Sequence, residues 1–261
     1  MERARVTVGI PFFNVRHTLA DAVRSVFAQT YTDWEIILVD DGSTDGSADL
    51  AGQIHDSRVR LIVDGSRKGV AVRRNQIVDL TRTELLAWLD ADDLMHPDRL
   101  ARQVAYFDGQ PATDALGTAA YTIDSANRIL GIRGDGPLVV DAARILGHGL
   151  FLNPTVMGRT AWFRQHRYDA AFHRSEDRDL WVRSCRSSCF GKIPEPLLFY
   201  REGQTINLAN YVEGNGILSR IVRRSGPSLV GTSRSRLLQW QLALKNGLYR
   251  SATALGLQAC L

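Results

Sequence analysis

The sequence predicts an α/β fold in which a doubly wound, mostly parallel (mixed) sheet is flanked by helices and followed by a helical C-terminal tail. In the first hundred residues short apolar runs alternate with amphipathic segments, which is the order of elements in a doubly wound sheet. The predicted strands, such as IILV and LLAWL, are apolar at every position rather than at alternate positions. Such strands are typical of a parallel sheet that helices cover on both faces.

The first half of the chain divides into short elements separated by turn residues. Short apolar runs predict the strands, and segments with apolar residues three and four positions apart predict the helices. In chain order these elements are the strand Val6–Pro11, the helix Thr18–Gln29, the strand Glu35–Asp40, the helix Ser47–His55, the strand Val59–Val63, the helix Gly69–Leu80, the strand Leu85–Asp90 and the helix Pro97–Phe107.

Beyond Ala115 the alternation is looser, although most segments still have a clear type. The run ALGTAAYTI predicts a strand. The tail from Leu218 to Leu261 is predicted to be mostly helical, with a break at Gly226-Pro227. Between them we expect, in order, the helix Asp141–Leu146, the strand Asn153–Gly158, the helix Asp177–Ser188 and the strands Phe190–Ile193 and Leu197–Tyr200.

The composition is that of a globular protein with a sizeable core. The chain has 261 residues, 44% hydrophobic and 23% charged, which excludes wholesale disorder. Its net charge of +4 is well below that of a dedicated nucleic-acid binder, so no nucleic-acid partner is expected. The residues from Arg201 onward carry eight cations against two anions. This basic tail suits an anionic membrane surface or a phosphorylated acceptor, and a solvated basic face accounts for it equally well.

Cysteine usage and hydropathy predict a cytoplasmic protein that is peripheral to the membrane at most. The three cysteines, Cys185, Cys189 and Cys260, form no CxxC pair, which disfavours zinc and a disulfide framework. The apolar run at the start is too short for a signal peptide. No stretch approaches the roughly 18 apolar residues of a transmembrane helix.

Polar side chains follow three of the predicted strands at the point where each strand ends. These ends read Pro11-Phe12-Phe13-Asn14, Asp40-Asp41-Gly42-Ser43 and Asp90-Ala91-Asp92-Asp93. Parallel strands finish on the same side of a sheet, and the ligand crevice of open α/β sheets lies there. We therefore expect these residues to converge on one crevice.

A divalent cation would account for the acids of this crevice better than helix capping does. Capping of predicted helices explains Asp45 or Ser47, and Asp93 ahead of the helix at Pro97, but not the doubled acid Asp40-Asp41. Three acids after a buried strand repel one another and need a counter-charge. Mg²⁺ and Mn²⁺ typically bind through one or two carboxylates together with substrate phosphates.

Other nucleotide and hydrolase sites are disfavoured by the motifs that the sequence lacks. There is no GxxxxGK[ST] loop and no GxGxxG after the first strand, which argues against P-loop and dinucleotide-binding chemistry. GxSxG and HExxH are also absent, which argues against a serine hydrolase and a zincin.

Five segments, occurring in order from about Val6 to Arg201, together resemble the family 2 inverting glycosyltransferases of the GT-A fold. They are VTVGIPFFN, EIILVDDGSTDGS, KGVAVRRNQ, LAWLDADDLMHPDRL and SEDRDLWVR. The resemblance implies a nucleotide-sugar donor, most often UDP-linked, and Mn²⁺ or Mg²⁺ as cofactor. The chain departs from the usual pattern at Phe13, where Tyr is common, at Lys68, where Asn is common, and at Thr205, where Ser is common.

The resemblance also implies roles for individual residues. Asp92 would bind the metal that bridges the two phosphates, and Asp177 would be the general base, with Glu176 as the alternative. Asp177 at a helix N-terminus is also explained by the helix dipole alone. Arg201 would reach the diphosphate or form a surface ion pair. The nucleotide-sugar would be bound by Pro11, Phe12, Phe13, Asn14, Asp40, Asp41, Arg74, Asp90, Ala91 and Arg201.

These assignments predict a glycosyltransferase domain at 1–205, with a nucleotide-binding half at 1–110 and an acceptor half at 111–205, and a basic helical extension at 206–261. The predicted reaction moves a sugar to an acceptor hydroxyl of a carbohydrate or lipid-linked acceptor in surface polysaccharide, glycolipid or other glycoconjugate synthesis. A non-catalytic sugar-nucleotide-binding protein and a sugar-phosphate nucleotidyltransferase are the alternatives. The apolar residues of the tail also leave open a homodimer.

Overall fold

A computed structural model describes residues 4–173, 175–202 and 208–254. The chain divides into two compact units. The first comprises Met1–Leu138, Phe151–Ala170 and Ser187–Glu202, and the second comprises Val139–Leu150, Ala171–Arg186 and Gly203–Leu261. The predicted domain boundary at residue 205 stays a prediction, and Thr205 and Cys260 lie outside the described residues.

The first unit contains the strands and five of the helices of the described chain. The strands are β1 Val6–Phe12, β2 Trp34–Asp40, β3 Val59–Ile62, β4 Leu85–Trp88, β5 Leu94–Met95, β6 Ala115–Ile123, β7 Ile129–Arg133, β8 Met157–Arg159 and β9 Phe190–Arg201. The α-helices, numbered along the whole chain, are α1 Leu19–Phe27, α2 Ser47–Gly52, α3 Val70–Leu80, α4 Arg99–Gly109 and α6 Thr160–Gln165. A short 3₁₀ turn lies at Asn153–Thr155, and a second one, Ala170–Phe172, begins at the last residue of the Phe151–Ala170 segment of the first unit and continues into the second unit.

The nine strands form one mixed sheet in the order β3-β2-β1-β4-β8-β6-β9-β5, with β7 paired to β6. The pairs β1–β2, β2–β3, β1–β4 and β6–β9 are parallel, whereas β8, β5 and β7 pair antiparallel with their neighbours. This topology, with helices between the first four strands, confirms the predicted mostly parallel sheet. It brings the carboxyl ends of β3, β2, β1 and β4 to one side, in that order.

The core forms where amphipathic helices cover the apolar sheet. Helix α1 buries Leu19, Ala22, Val23 and Val26, which share one face because they are three and four residues apart. All seven residues of β1 are buried, as expected for a central parallel strand.

Helix α3 approaches β1 closely at Gly9. A Cβ atom added to Gly9 would lie 2.7 Å from Cγ2 of Ile77 and 2.8 Å from Cζ3 of Trp88. Glycine at this position therefore allows α3 and the side chain of Trp88 to pack directly on the β1 backbone.

Three sequence predictions in the second half were wrong in detail. The predicted strand Asn153–Gly158 begins as a 3₁₀ turn, with Pro154 at its start, and becomes β8 only at Met157. The two predicted strands within 190–200 are one strand, β9, because register shifts in its pairing with β6 absorb the irregularity near its prolines. The short strands β5 and β7 and the helix α6 were not predicted.

The second unit contains helices α5 Ala142–His148, α7 Glu176–Ser184, α8 Leu208–Val230 and α9 Thr232–Ala254. The predicted break at Gly226-Pro227 was wrong, since α8 continues through Pro227. The chain turns instead at Gly231, whose φ of 84° is the left-handed conformation that glycine accepts readily. Within the described ranges, no helix combines the length and the apolar character needed to cross a membrane.

Candidate active site

The loops after β1 and β2 are joined by hydrogen bonds of Asn14. Its backbone N–H donates to Oγ of Ser43 at 3.0 Å, and its Oδ1 accepts from the N–H of Thr44 at 2.8 Å. Asn14 has a φ of 51°, a conformation that asparagine tolerates better than most residues.

The three residues just before Asn14 differ in burial. Pro11 and Phe12 are buried in the core. The ring of Phe13 is half-buried and stacks against the guanidinium of Arg67 at 4.2 Å.

Asp40 folds back on its own loop. The buried carboxylate accepts hydrogen bonds from the N–H groups of Gly42 at 3.0 Å and Ser43 at 3.1 Å. Gly42 has a φ of 77°, and a Cβ there would lie 3.0 Å from the backbone of Ser66 and Arg67. Asp40 therefore shapes a turn that packs tightly on the loop after β3.

Asp41 is held at the start of α3. Its carboxylate accepts from the backbone N–H of Lys68 at 2.7 Å, from that of Gly69 at 3.0 Å and from Nε of Arg73 at 3.0 Å. The side chain is only 10% exposed. Because two backbone donors and a guanidinium surround it, the carboxylate of Asp41 is fixed in position.

Arg73 connects Asp41 to the loop after β3. Its side chain is completely buried, and its terminal nitrogens lie 2.9 Å and 2.7 Å from the two oxygens of Asp64. Hydrogen bonds to Asp64 and Asp41 raise the pKa of Arg73, and those from Arg73 and Lys68 hold the pKa of Asp64 well below its usual range. The ends of β2 and β3 are thereby tied to one helix.

The next residue of the same helix, Arg74, pairs with the acid at the end of β4. Its guanidinium lies 3.0 Å from Oδ1 of Asp90 and is itself almost fully buried. When the Asn153 amide presents its oxygen to Arg74, that oxygen lies 3.2 Å and 3.0 Å from the terminal nitrogens. The rings of Trp88 and Tyr168 lie 5.9 Å and 5.5 Å from the guanidinium carbon.

The two acids that follow Ala91 differ in their surroundings. Asp92 is exposed, yet its pKa is raised, first by partial desolvation among neighbouring protein atoms and then by the negative charge of Asp90. Asp93 is buried, and desolvation together with the charges of Asp90 and Asp92 raises its pKa to about 9. The outer end of the cluster is therefore the exposed carboxylate of Asp92, where the positive charge of Arg201 partly opposes the rise in pKa.

The prediction that Asp93 caps a helix was wrong. Helix α4 begins at Arg99, and its N-cap residue is Asp98. Oδ1 of Asp93 instead accepts from the backbone N–H of Arg201 at 2.7 Å. The antiparallel pairing of β5 with β9 brings this backbone to Asp93.

Buried cationic and phenolic groups surround the acid cluster. Arg99 is completely buried and donates to the carbonyl of Trp88 at 2.9 Å. Desolvation lowers its pKa to about 9, although Asp93 and Asp90 oppose this shift. Burial and the three acids raise the pKa of Tyr200 to about 12. Burial is the larger cause of both shifts, and carboxylates of the acid cluster add to it at Tyr200 and oppose it at Arg99.

The side chain of Arg201 is held by hydrogen bonds to the loop that carries Asp92 and to residues of the turn after β6. Its guanidinium donates to the carbonyls of Asp92 at 2.8 Å and Asp124 at 2.9 Å, and to Oδ1 of Asn127 at 2.8 Å. These bonds position the Asp92 loop. Contact between Arg201 and a diphosphate stays a prediction.

The donor set fits a hard divalent cation that substrate also coordinates. Within the described part of the chain, no three His, Cys, Asp or Glu side chains are grouped to hold a metal ion. The exposed Asp92 and the neighbouring Asp90 would supply the one or two carboxylates that Mg²⁺ or Mn²⁺ uses when phosphates complete its shell, and a metal site here stays a prediction.

Asp177 belongs to the second unit and lies in the first turn of α7. Its half-buried carboxylate accepts from the backbone N–H of Arg178 at 2.7 Å. Ser175 is the N-cap residue, but its side chain makes no capping hydrogen bond. The neighbouring His173 lies 2.9 Å from Glu213. The role of Asp177 as a base stays a prediction.

A family model described as Glycosyl transferase family 2 matches residues 7–166, which is more than half of the chain and includes both arginine–aspartate pairs. The chain belongs to glycosyl transferase family 2. The predicted resemblance is therefore confirmed.

Two relatives show how this family 2 chain compares with named proteins. It is 33% identical over 187 residues to the putative glycosyltransferase EpsE of Bacillus subtilis, covering 69% of this chain and 66% of EpsE. It is 27% identical over 183 residues to WfgD of Escherichia coli, named as a UDP-Glc:α-D-GlcNAc-diphosphoundecaprenol β-1,3-glucosyltransferase, with 70% of each chain covered. The chain thus spans about two thirds of the length of these relatives.

The fold matches those of solved GT-A type transferases. The mannosyltransferase PcManGT of Pyrobaculum calidifontis, solved with GDP-Man and Mn²⁺, aligns with a TM-score of 0.68 at 18% identity, covering 99% of this chain and 75% of that one. At this identity the likeness concerns the fold alone, and it confirms the predicted GT-A architecture.

Sequence reasoning missed two arginines of this family 2 site. Arg73 was not singled out, although the doublet Arg73-Arg74 in a predicted helix was visible, and a buried arginine nearly always has a partner. Arg67, which stacks on Phe13, lies in a loop where no periodic pattern marks it.

Proposed function

We propose that this protein is an inverting glycosyltransferase that moves a sugar from a UDP-sugar to an acceptor hydroxyl with the help of Mn²⁺ or Mg²⁺. One observation carries the proposal: adjacent arginines of α3 hold Asp41 and Asp90, whereas Asp92 is left as the exposed carboxylate of the same strand ends. The site therefore combines fixed hydrogen-bond acceptors with one carboxylate available to a cation.

The nucleoside would lie over the ends of β1 and β2. We propose that Phe13 and Asn14 border the base and ribose and that Asp41 recognises the base. The buried Pro11, Phe12 and Asp40 would support these residues from behind, since Asp40 holds its own turn. The ring of Phe13 beside Arg67 supplies a flat, cationic platform on which a base can stack. The UDP-linked donor in the name of WfgD supports uracil, whereas the GDP-Man bound to PcManGT shows that this fold also accepts another base.

The diphosphate and sugar would lie beside the end of β4. We propose that Asp92 holds the cation, that Asp90 and Ala91 face the ribose or sugar, and that Arg74 and Arg201 lie on the sugar and phosphate side. The bound cation would neutralise charge on the leaving diphosphate without any proton transfer. The Mn²⁺ in the structure of PcManGT supports this assignment.

Asp177 is our proposed general base, with Glu176 as the alternative. The acceptor oxygen attacks the anomeric carbon, the bond from that carbon to the phosphate oxygen breaks, and its electron pair leaves with the nucleoside diphosphate. The hydroxyl proton passes to the carboxylate of Asp177. A base at the N-terminus of α7 sits on a rigid element, which favours a constant position.

The acceptor is proposed to be a carbohydrate or a lipid-linked glycan used in surface polysaccharide or glycolipid synthesis. The diphosphoundecaprenol acceptor in the name of WfgD supports the lipid-linked class. Such an acceptor would place the enzyme on the cytoplasmic side, peripheral to the membrane.

The decisive experiment compares Asp92→Asn and Asp177→Asn with the exposed control Asp49→Asn. UDP binding is measured by calorimetry with and without Mn²⁺, and sugar transfer with a panel of UDP-sugars and acceptors. We expect Asp92→Asn to lose Mn²⁺-dependent binding, and Asp177→Asn to bind UDP normally but transfer at least 100-fold more slowly. Normal transfer by Asp177→Asn would refute the base assignment.

Two outcomes would replace the proposed function itself. UDP binding without transfer to any acceptor would indicate a sugar-nucleotide-binding protein. Release of pyrophosphate from a nucleoside triphosphate and a sugar phosphate would indicate a nucleotidyltransferase.

A further inference from the structure

Helix α9 carries a stripe of large apolar side chains that faces away from the rest of its unit. Leu237, Trp240, Leu244 and Leu248, which we name the α9 stripe, are between 47% and 70% exposed. Their spacing of three and four residues places them along one side of the helix. Single exposed apolar residues are ordinary, but a continuous stripe of this kind indicates a binding surface.

The opposite side of α9 is the side that packs within the unit. Ser235 is buried there, its Oγ lying 3.2 Å from the carbonyl of Val222 in α8. A Cβ added to Gly226 of α8 would lie 2.5 Å from that same Oγ, so the two helices are in close contact. Since α9 already packs on α8 through this side, the α9 stripe is a second, separate apolar surface.

Part of the α9 stripe is concave. A shallow groove of about 360 Å³ runs along it, lined by Trp240, Ala243, Leu244, Gly247, Leu248 and Ser251. Small residues beside Trp240 leave room for thin, flexible groups such as acyl chains to lie against the helix.

Basic residues border the α9 stripe on both edges. At 100° per residue, Arg236 lies on one edge, and Arg234 and Lys245 lie on the other. All three are exposed. From residue 214 to the end of the sequence there are seven Lys and Arg residues and no Asp or Glu. An apolar stripe between two cationic edges is the arrangement of helices that lie in a membrane interface.

We infer that the α9 stripe inserts into the surface of an anionic lipid bilayer, with Trp240 at headgroup depth and the flanking cations on lipid phosphates. A second copy of the chain fits less well, because two such stripes packed face to face would bring their cationic edges together. This inference concerns side chains other than those of the proposed active site and does not depend on the proposed function.

The test measures binding of the full chain to vesicles by flotation. We expect binding to phosphatidylcholine vesicles with 30% phosphatidylglycerol, weak binding to pure phosphatidylcholine, and release in 0.5 M NaCl, since salt screens exposed charges. The double variant Trp240→Ser, Leu248→Ser is expected to lower the partition coefficient by at least tenfold. Changing Arg234, Arg236 and Lys245 to Gln should lower it by about fivefold per charge.

Matched control variants distinguish specific binding through the α9 stripe from non-specific binding of any exposed apolar or cationic residue, and from loss of binding caused by misfolding. Leu130→Ser removes an equally exposed leucine, 60% exposed, from β7, and Arg82→Gln removes an exposed cation from the loop after α3. Both should bind anionic vesicles as the parent does. The inference is overturned if vesicle binding does not depend on phosphatidylglycerol, or if Leu130→Ser lowers vesicle binding as much as the double variant does. It is also overturned if neither the parent nor the double variant binds vesicles and sedimentation velocity shows a dimer of the parent that the double variant abolishes.

Discussion

Replacing Arg73 by Gln tests whether the arginine pairs of α3 organise the site. The substitution removes the hydrogen bond from Nε to Asp41, where the arginine side chain is 0% and the aspartate 10% exposed. A buried charge-assisted hydrogen bond contributes about 1.5–3 kcal/mol. The pair with Asp64 adds less, because that carboxylate is more exposed to solvent. We therefore expect the free energy of unfolding to fall by about 3 kcal/mol.

Urea unfolding followed by tryptophan fluorescence measures this loss. Arg24→Gln is the control, because Arg24 also pairs with an aspartate, Asp21, but is 77% exposed, and its loss should cost less than about 0.5 kcal/mol. A double-mutant cycle with Asp41→Asn isolates the pairwise energy. If Arg73→Gln unfolds within about 0.5 kcal/mol of the parent, the buried pair does not stabilise the strand ends and the reasoning fails.

Three further substitutions test the packing on which the site depends, each by the same urea measurement. Gly9→Ala places a Cβ 2.7 Å from Ile77 and should cost about 1–3 kcal/mol; no loss would show that α3 can shift without penalty. Asp179→Asn removes the buried partner of Arg183 and Arg224 in the second unit and should cost about 3 kcal/mol, whereas a neutral result would show that these arginines are solvated. Pro227→Ala restores a backbone donor inside α8 and should gain about 1–3 kcal/mol, and a loss would show that α8 needs the proline.

The fold was predictable because its strongest signals are local. Continuous apolar runs gave β1, β2 and β4, and apolar spacing gave α1 and α4, with errors of only a few residues at their ends. The elements that were missed depend on distant partners. Strand β5 is two residues long and exists because β9 pairs with it. Helix α8 continues past Pro227 although a proline there usually ends a helix.

The placement of the acids of the candidate site at one edge of the sheet was predictable because parallel strands end on the same side, whereas their roles in a site stay a prediction. The sequence could not show how each acid is used. Asp40, Asp41 and Asp92 are the same residue type, but their surroundings differ. Asp40 folds onto its own turn, Asp41 is fixed by α3, and Asp92 is exposed. Those differences arise from tertiary contacts. Asp93 shows the same point, since the backbone that satisfies it comes from Arg201, far along the chain.

The order of the strands explains why two neighbouring arginines serve two different acids. Strand β1 lies between β2 and β4, and α3 packs on β1 because Gly9 leaves room for Ile77. Consecutive side chains of a helix diverge by about 100°. From a helix centred over β1, one arginine can therefore turn toward the end of β2 and the next toward the end of β4. A lysine could not replace either arginine fully, because its single ammonium lacks the fork that joins Arg73 to Asp41 and Asp64 at once.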